Sequence, residues 1–272
     1  MIEAFNNHFQ QICSNLNSSK KVFVLGLSGG LDSMALLYLV KNFLEINKKI
    51  EIEIFPIIID HNIRQESSKE AYQVKNIAKK LGFKTAIKKI HSKVPTGNIQ
   101  NWARIKRRDL LCESSSRLSA NLLLAHHFDD QAETLFMRFS KKSGLDGLQG
   151  MQPIVFWNGV LIIRPLLSFK KNQLRSFVDH NNIIFFEDTS NMMLKFERVK
   201  TRYLLDKISK KKWPHISQDL YNFSNINNIL IKKIKFIFAD WVSQNILIDN
   251  SGAARVNNNS LKVIFEKSSL FT

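Results

Sequence analysis

Cysteine is nearly absent from this chain: Cys13 and Cys112 are the only two, far apart and in no C-x-x-C spacing. That excludes a zinc ribbon or a cysteine-bound cluster built from these residues alone, and it fits a reducing compartment. No apolar run reaches the length of a membrane span, and Met1-Ile2-Glu3-Ala4-Phe5-Asn6 contains no signal-peptide apolar stretch. The expectation is a soluble, cytoplasmic protein with no membrane partner. Acidic residues are scarce too: 23 Asp plus Glu against 40 Lys plus Arg, a net charge of +17. An excess of that size suits a polyanion larger than a nucleotide, most simply a nucleic acid. A generally basic proteome would give the same total, so the clustering of the charge has to decide.

Apolar residues are plentiful at 44% of the 272 positions, enough for one large α/β domain with a smaller appendage and against global disorder. The apolar run over residues 22–27 is followed by Ser28-Gly29-Gly30-Leu31-Asp32-Ser33 and then by Met34, Leu37, Val40 and Leu44 at helical spacing. Strand, glycine turn and helix in that order build a phosphate-binding turn. Paired glycines let backbone N–H groups approach an anion, and the next helix aims its orphan N–H groups at the same point. No Gly-Lys-Ser/Thr closes the loop, so the Walker pattern is excluded. Gly26-Leu27-Ser28-Gly29-Gly30 also satisfies the nucleophile elbow G-x-S-x-G, although it sits on the first strand with no upstream oxyanion loop. An ordinary strand-to-helix turn remains the plainest alternative.

Strand-like runs at 22–27, 52–59, 83–90 and 121–125 alternate with helix-like patterns at 33–46, 66–81 and 98–118. This alternation predicts a doubly wound parallel sheet. Ligands of such sheets bind beyond the carboxyl ends of the strands. The rule gathers residues 28–33, Asp60-His61-Asn62 and His126-His127-Phe128-Asp129-Asp130 around one crevice. The helix expected from near Asp129 carries Ala132, Leu135, Phe136 and Phe139 on its apolar face, with Asp130 and Glu133 as neighbours on its exposed side. Carboxylates at a helix start stay ionised and suit an ammonium group or a metal. A metal site of His126, His127 and Asp129, or a plain helix cap by Asp129, is also open from the residues alone.

Ser-Gly-Gly-x-Asp-Ser resembles the loop of the pyrophosphatase-loop ATPase superfamily. The block Ala125-His126-His127-Phe128-Asp129-Asp130-Gln131-Ala132-Glu133-Thr134 is similar to one found in tRNA(Ile)-lysidine synthetases and their thiolase relatives. Asp60-His61-Asn62-Ile63-Arg64, Asn101-Trp102-Ala103-Arg104, Arg164-Pro165-Leu166-Leu167 and Glu187-Asp188-Thr189-Ser190-Asn191 extend the likeness over roughly residues 20 to 205. The thiolases generally carry cysteine pairs, which this chain lacks, so the lysidine synthetases are the nearer match. Two departures stand out: Lys141-Lys142-Ser143-Gly144 replaces the usual Arg-Gly-Ser/Thr-Gly, and Arg198-Val199 replaces an Arg-Asn pair.

The resemblance implies a sheet of the adenine-nucleotide α-hydrolase type over residues 1–205, and a small, mostly helical basic region over 206–272 in contact with tRNA. It implies ligation of free L-lysine to the wobble cytidine of the isoleucine tRNA with a CAU anticodon, through ATP-dependent adenylation of the base. Ser28, Gly29, Gly30, Leu31, Asp32 and Ser33 would bind ATP, with Asp32 also helping to position Mg²⁺. Asp130 and Glu133 would receive lysine's cationic groups, His126 would lie near the reacting phosphate, and Arg104 would stabilise transferred phosphate charge. The basic run Lys210-Lys211-Lys212 beside Trp213 is the expected tRNA contact. Another enzyme of the superfamily, such as a tRNA thiolase or an amide-forming synthetase, is the alternative, and a non-catalytic basic RNA-binding protein is a third reading.

Overall fold

Strand β1 (Lys21–Gly26) is apolar from Val22 through Leu25 because both its faces are covered. Phe23 and Leu25 enter one core layer and Val24 the other, as the pleat of a strand requires. The split repeats along β2 (Ile52–Asp60), with Ile54 and Ile58 on one side and Ile57 and Ile59 on the other. Strands buried on both faces read as unbroken hydrophobic runs, which is why they stand out in the sequence.

The computed structural model describes residues 1–16, 21–61, 65–92, 94–97, 99–187, 197–248, 251 and 253–256. Asn62, Ile63, Arg64 and residues 188–191 of two family-like motifs, and Asn98 at the expected start of a helix, lie outside the described residues. With β3 (Ala86–Lys89), β4 (Asn121–Leu123), β5 (Ile154–Trp157) and β6 (Val160–Ile163), the sheet runs β3-β2-β1-β4-β6-β5. Five strands are parallel, as expected, while β5 turns back antiparallel on β6 as a hairpin at the sheet edge. The strand expected over 83–90 shortens to β3 because Gly82 takes a φ of 90° and Phe83 N donates to Ala78 O at 3.0 Å. Those residues close the preceding helix instead.

Helices α2 (Leu31–Ile46) and α3 (Gln65–Lys80) cover one face, and α4 (Ile99–Arg117) covers the other. The chain therefore changes face between β1 and β4, and the loops after these two strands diverge to leave a crevice. Helix α1 (Ile2–Ser14), which precedes the alternating pattern, and α7 (Lys171–His180) pack on α2. Phe9 of α1 stacks edge-on against Phe43 at 5.0 Å between centroids and lies 5.7 Å from Phe23.

Helix α5 (Phe128–Ser140) leaves the crevice and is clasped by α8 (Glu197–Lys211) and the 30-residue α9 (Ile216–Asn245). Ala132, Leu205 and Ile216 form their small shared core. The buried Gln131 amide donates to Met151 O at 3.1 Å and Ser224 Oγ at 2.8 Å, and its oxygen accepts from Met151 N at 2.7 Å. This fully satisfied polar group fixes α9 and the segment after α6 (Leu145–Leu148) to α5. A short pairing of β7 (Ile246–Ile248) with β8 (Ala254–Val256) follows. No helix among the described residues is long and apolar enough to cross a membrane.

Phe9 is fully buried between three other aromatic rings. Phe9→Ala is expected to cost about 3–5 kcal/mol, measured as a lowered urea midpoint with unchanged slope. A loss well under 1 kcal/mol would show that α1 does not belong to the main core.

Candidate active site at the strand crossover

Leu27 N donates to Ile57 O at 2.9 Å as the last sheet bond, and the turn begins there. Gly29 has a φ of 83°, and a Cβ placed on it would lie 2.5 Å from Val74 Cγ2 and 3.5 Å from the Phe186 ring. Only glycine fits this position. Its carbonyl accepts from Phe186 N at 2.9 Å. The Ser33 hydroxyl donates to Gly30 O at 2.9 Å and accepts from Ser28 N at 3.2 Å, while Gly30 N donates weakly to Ser28 Oγ at 3.4 Å. Ser33 is buried and braces the loop from inside. Gly30 caps α2 with no side-chain hydrogen bond, so the first-turn N–H groups remain available to an anion. Ser28 Oγ has serine and backbone neighbours but no histidine partner among the described residues. A nucleophile elbow requires one, so that reading falls.

The loop after β4 supplies the opposite wall. His127, not Asp129, is the N-cap of α5: its Nδ1 lies 3.2 Å from Asp129 N and 3.4 Å from Asp130 N, and Asp130 Oδ2 accepts from His127 N at 3.1 Å. Asp129 instead accepts from Lys171 N at 2.7 Å. The His127 ring is buried with Asp32, Asp129 and Asp130 carboxylate oxygens each at 3.6 Å. Burial opposes its charge, but the three carboxylates outweigh burial and push its pKa up to about 10. Capping and protonation compete, because a protonated Nδ1 cannot accept. With only carboxylates around it the ring keeps its proton; a cation seated among them would release it to cap.

Glu133 departs from the expected exposed side. It is buried, and Arg202 of α8 donates to its Oε1 at 2.7 Å. Asp130 is mostly buried and faces Arg198 of α8 at 3.8 Å. The helix faces inward here because α8 covers it, whereas Phe139, expected in the apolar stripe, is 64% exposed beyond that cover. Burial pushes the Glu133 carboxyl up despite Arg202, while His127 and Arg198 hold Asp130 low against its own burial. Three buried atoms of this cluster, Asp32 Oδ1, His127 Nε2 and Glu133 Oε2, have no hydrogen-bond partner among the described residues. Buried polar atoms are normally satisfied, so this concentration fits a polar or cationic guest. Among the described residues no three His, Cys, Asp or Glu side chains form a group that could hold a metal ion, and His126 Nδ1 is taken by Arg164, which gives no support to a His126, His127 and Asp129 centre. Mg²⁺ held by one or two carboxylates and completed by phosphate oxygens is still compatible with Asp32.

His126 is bound to Arg164 on the neighbouring strand end. Its Nδ1 accepts from Arg164 Nε at 3.2 Å, and burial holds its pKa down to about 3, so it is neutral. Arg104 is exposed at the mouth, in the field of Arg198, Arg107, Arg108 and Arg138. Lys210, Lys211 and Lys212 lie at the end of α8 on an exposed surface, where Lys210 pairs with Asp206 at 2.7 Å. The crevice thus gathers residues 28–33, His126, Asp130 and Glu133, with Arg104 at its rim, and does not include the lysine run. Sequence reading gave His127 a role only as a ligand of the alternative metal site, and gave none to Arg198 or Arg202. For the arginines the signal was faint: their spacing of four places both on one face of α8.

The segment where the family pattern departs is fixed locally. Arg138 Nη1 donates to Gly147 O at 2.6 Å and Gly150 O at 3.0 Å, and Lys141 pairs with Glu197 at 2.6 Å. Both cysteines are buried, one in each core layer, and burial raises both thiols, that of Cys13 to about 11. Neither is set up as a nucleophile.

The chain is similar to known proteins. The chain is 38% identical over 199 residues to the tRNA(Ile)-lysidine synthase of Wolbachia pipientis wMel, covering 72% of this chain and 46% of the relative. It is 32% identical over 257 residues to the enzyme of that name from Rickettsia bellii (strain OSU 85-389), covering 93% and 57%. It therefore spans about half the length of the curated relatives it matches. Among solved structures, a tRNA thiolase from Methanococcus maripaludis superposes with a TM-score of 0.68 at 17% identity, over 84% of this chain and 78% of that one. That likeness is one of fold, the adenine-nucleotide α-hydrolase type. Residues 1–208, which hold the glycine turn, the carboxylate cluster and nearly all of α8, match the PP-loop domain, and the chain belongs to that family.

Proposed function

We propose that this protein uses ATP to join free L-lysine to the wobble cytidine of the isoleucine tRNA with a CAU anticodon, changing its reading from AUG to AUA. The observation that carries this reading is the pairing, across one crevice, of an anion-binding turn at residues 28–33 with a carboxylate cluster in which Asp32 Oδ1, His127 Nε2 and Glu133 Oε2 lack hydrogen-bond partners among the described residues. A polyphosphate and an amine are the two guests these walls suit. The similarity to relatives named tRNA(Ile)-lysidine synthase supports lysidine formation on a tRNA, and cytidine and free lysine as the reacting partners are part of the proposal. The buried, weakly acidic cysteines give no support to sulfur transfer, the reading that the thiolase-like fold would otherwise favour.

The cytosine 2-carbonyl oxygen attacks the α-phosphorus of ATP and pyrophosphate leaves. The side-chain amine of lysine then attacks the activated carbon and displaces AMP. The loop N–H groups and the start of α2 hold the pyrophosphate portion, and Arg104 and neutral His126 face the phosphorus. Mg²⁺ on Asp32 would neutralise phosphate charge. The amine, with a pKa of ~10.4, arrives protonated and must lose a proton before it can attack. Asp130 and Glu133 receive its cationic groups. Glu133, whose carboxyl burial raises, is the better proton acceptor of the two. The segment from residue 206 onward contacts the tRNA through Lys210, Lys211 and Lys212.

Incorporation of labelled lysine into tRNA, with and without ATP, tests the reading as a whole. Loss of one electrostatic partner of a transferring phosphate costs about a hundredfold or more, so Asp32→Ala should reduce adenylation by that much and leave tRNA binding nearly intact. Wild-type turnover would remove Asp32 from the ATP site. Glu133→Gln should raise the lysine concentration needed for half-maximal rate by about tenfold while adenylation persists. If adenylation vanished with normal lysine dependence, Glu133 would belong to the ATP half-site. Neutralising Lys210, Lys211 and Lys212 together should flatten the salt dependence of tRNA binding by about 0.7–0.9 in log–log slope per lost contact. An unchanged slope would make the run a solvated face only.

A further inference from the structure

We infer that α9 pairs antiparallel with the α9 of a second copy of this chain, through an exposed apolar stripe flanked by reciprocal Lys233–Asp240 ion pairs. The residues that α9 buries against its own body are Ile216, Ser224, Asn227 and Ile231, all before Lys232. The helix then runs on to Asn245, about four turns further. Those turns are exposed yet rich in large apolar side chains. Leu230, Ile234 and Ile237 are 52%, 55% and 63% exposed, with Phe223, Ile226 and Phe238 open beside them. Phe238 and Trp241 stack on each other at 6.2 Å between centroids, which orders the far end of the stripe. Soluble monomers rarely expose a contiguous apolar patch of more than a few hundred Å², so this face calls for a partner.

The spacing says which partner. Leu230, Ile234, Ile237 and Trp241 follow one another at steps of four, three and four, the seam spacing of two helices in a coiled coil. A helix that pairs antiparallel with its own copy needs a stripe that reads alike from both ends, since residue i then meets j wherever j meets i. One register satisfies this. Ile234 opposes Ile237 of the second copy and Leu230 opposes Trp241, so each of these layers is apolar and occurs twice. In that register Lys233 and Asp240 flank the seam on one side and meet across it, again twice. Neither has an ion-pair partner among the described residues, whereas Lys235, on another side of α9, pairs with Asp146 at 3.0 Å. A parallel pairing would instead set Lys233 against Phe238 and Asp240 against Asn245. Charges beside a seam add little affinity but fix orientation and partner, and these two fit a second α9 turned end for end. Six half-exposed side chains of this size carry on the order of 600 Å² per copy. A seam of two copies therefore buries at most on the order of 1,200 Å², the lower end of stable interfaces. The stripe shares no residue with the crevice, so the pairing stands apart from the proposed reaction.

The test measures the mass of the whole protein in solution by sedimentation equilibrium across the micromolar range, where the wild type should approach twice its 31.5 kDa. Lys233→Glu sets Glu against Asp at both ends of the seam, and Asp240→Lys sets Lys against Lys. Each alone should raise the dimer dissociation constant about tenfold. The double variant, with the charges exchanged, should return it to the wild-type value. Mixing the two single variants should do the same, because each then supplies what the other lacks; only a reciprocal, antiparallel pairing has that property. Ile237→Asp puts a carboxylate in the seam and should leave the chain monomeric, with its helicity by circular dichroism unchanged because the site is exposed. The charge-exchange arm decides the matter even if that variant fails to fold. A wild type that stays monomeric, with the stripe open or covered by some other segment, would overturn the inference. So would a dimer whose dissociation constant ignores both single charge reversals, or single variants that do not recover on mixing.

Discussion

Carboxylates buried at the crossing of β1 and β4 are the constraint on which the rest of this structure depends. Asp130 and Glu133 sit where the sheet changes face, largely removed from water, with the partly exposed Asp32 beside them, and each needs positive charge brought to it. Two partners come from α8, which must therefore pack against α5: Arg198 faces Asp130 and Arg202 holds Glu133. His127 supplies the third from within the loop. The clasp of α8 and α9 around α5 is thus electrostatic at its crevice end and apolar at Ala132, Leu205 and Ile216.

This arrangement links stability to chemistry. A carboxylate held by an arginine is positioned but partly neutralised, and Glu133 keeps one oxygen with no hydrogen-bond partner among the described residues. His127 divides its capacity between capping α5 and screening Asp32, Asp129 and Asp130. Any cation arriving in the cluster competes with protein cations already there. Binding therefore exchanges partners within the cluster, and each carboxylate need not be desolvated afresh. The glycine turn works differently. Its hydroxyls are satisfied within the loop, Phe186 fastens its carbonyl, and the first backbone N–H groups of α2 have no side-chain cap. One wall is rigid and offers dipoles, whereas the other is charged and adjustable.

The sequence alone determined the parts whose physics is local. Strands buried on both faces are legible as apolar runs, the order of strand, glycines and helix marks the turn, and strand-end logic brings residues 28–33 and 126–130 to one crevice. The same local reasoning failed wherever a distant segment intervened. Periodicity assigned Glu133 to solvent and Phe139 to the core, and both are reversed, because periodicity finds the faces of a helix but not which neighbour covers each one. Helix α8 buries the first, its Arg202 lying 69 positions downstream, and nothing among the described residues covers the second. Asp129 looked like the cap since it has the usual residue type, yet the backbone puts His127 there. The β5–β6 hairpin and the hydrogen bond from Arg164 to His126 likewise follow from strand order, which no window of sequence contains. Tertiary structure decided which charges meet, because ion pairing depends on distance in space and the sequence records distance only along the chain.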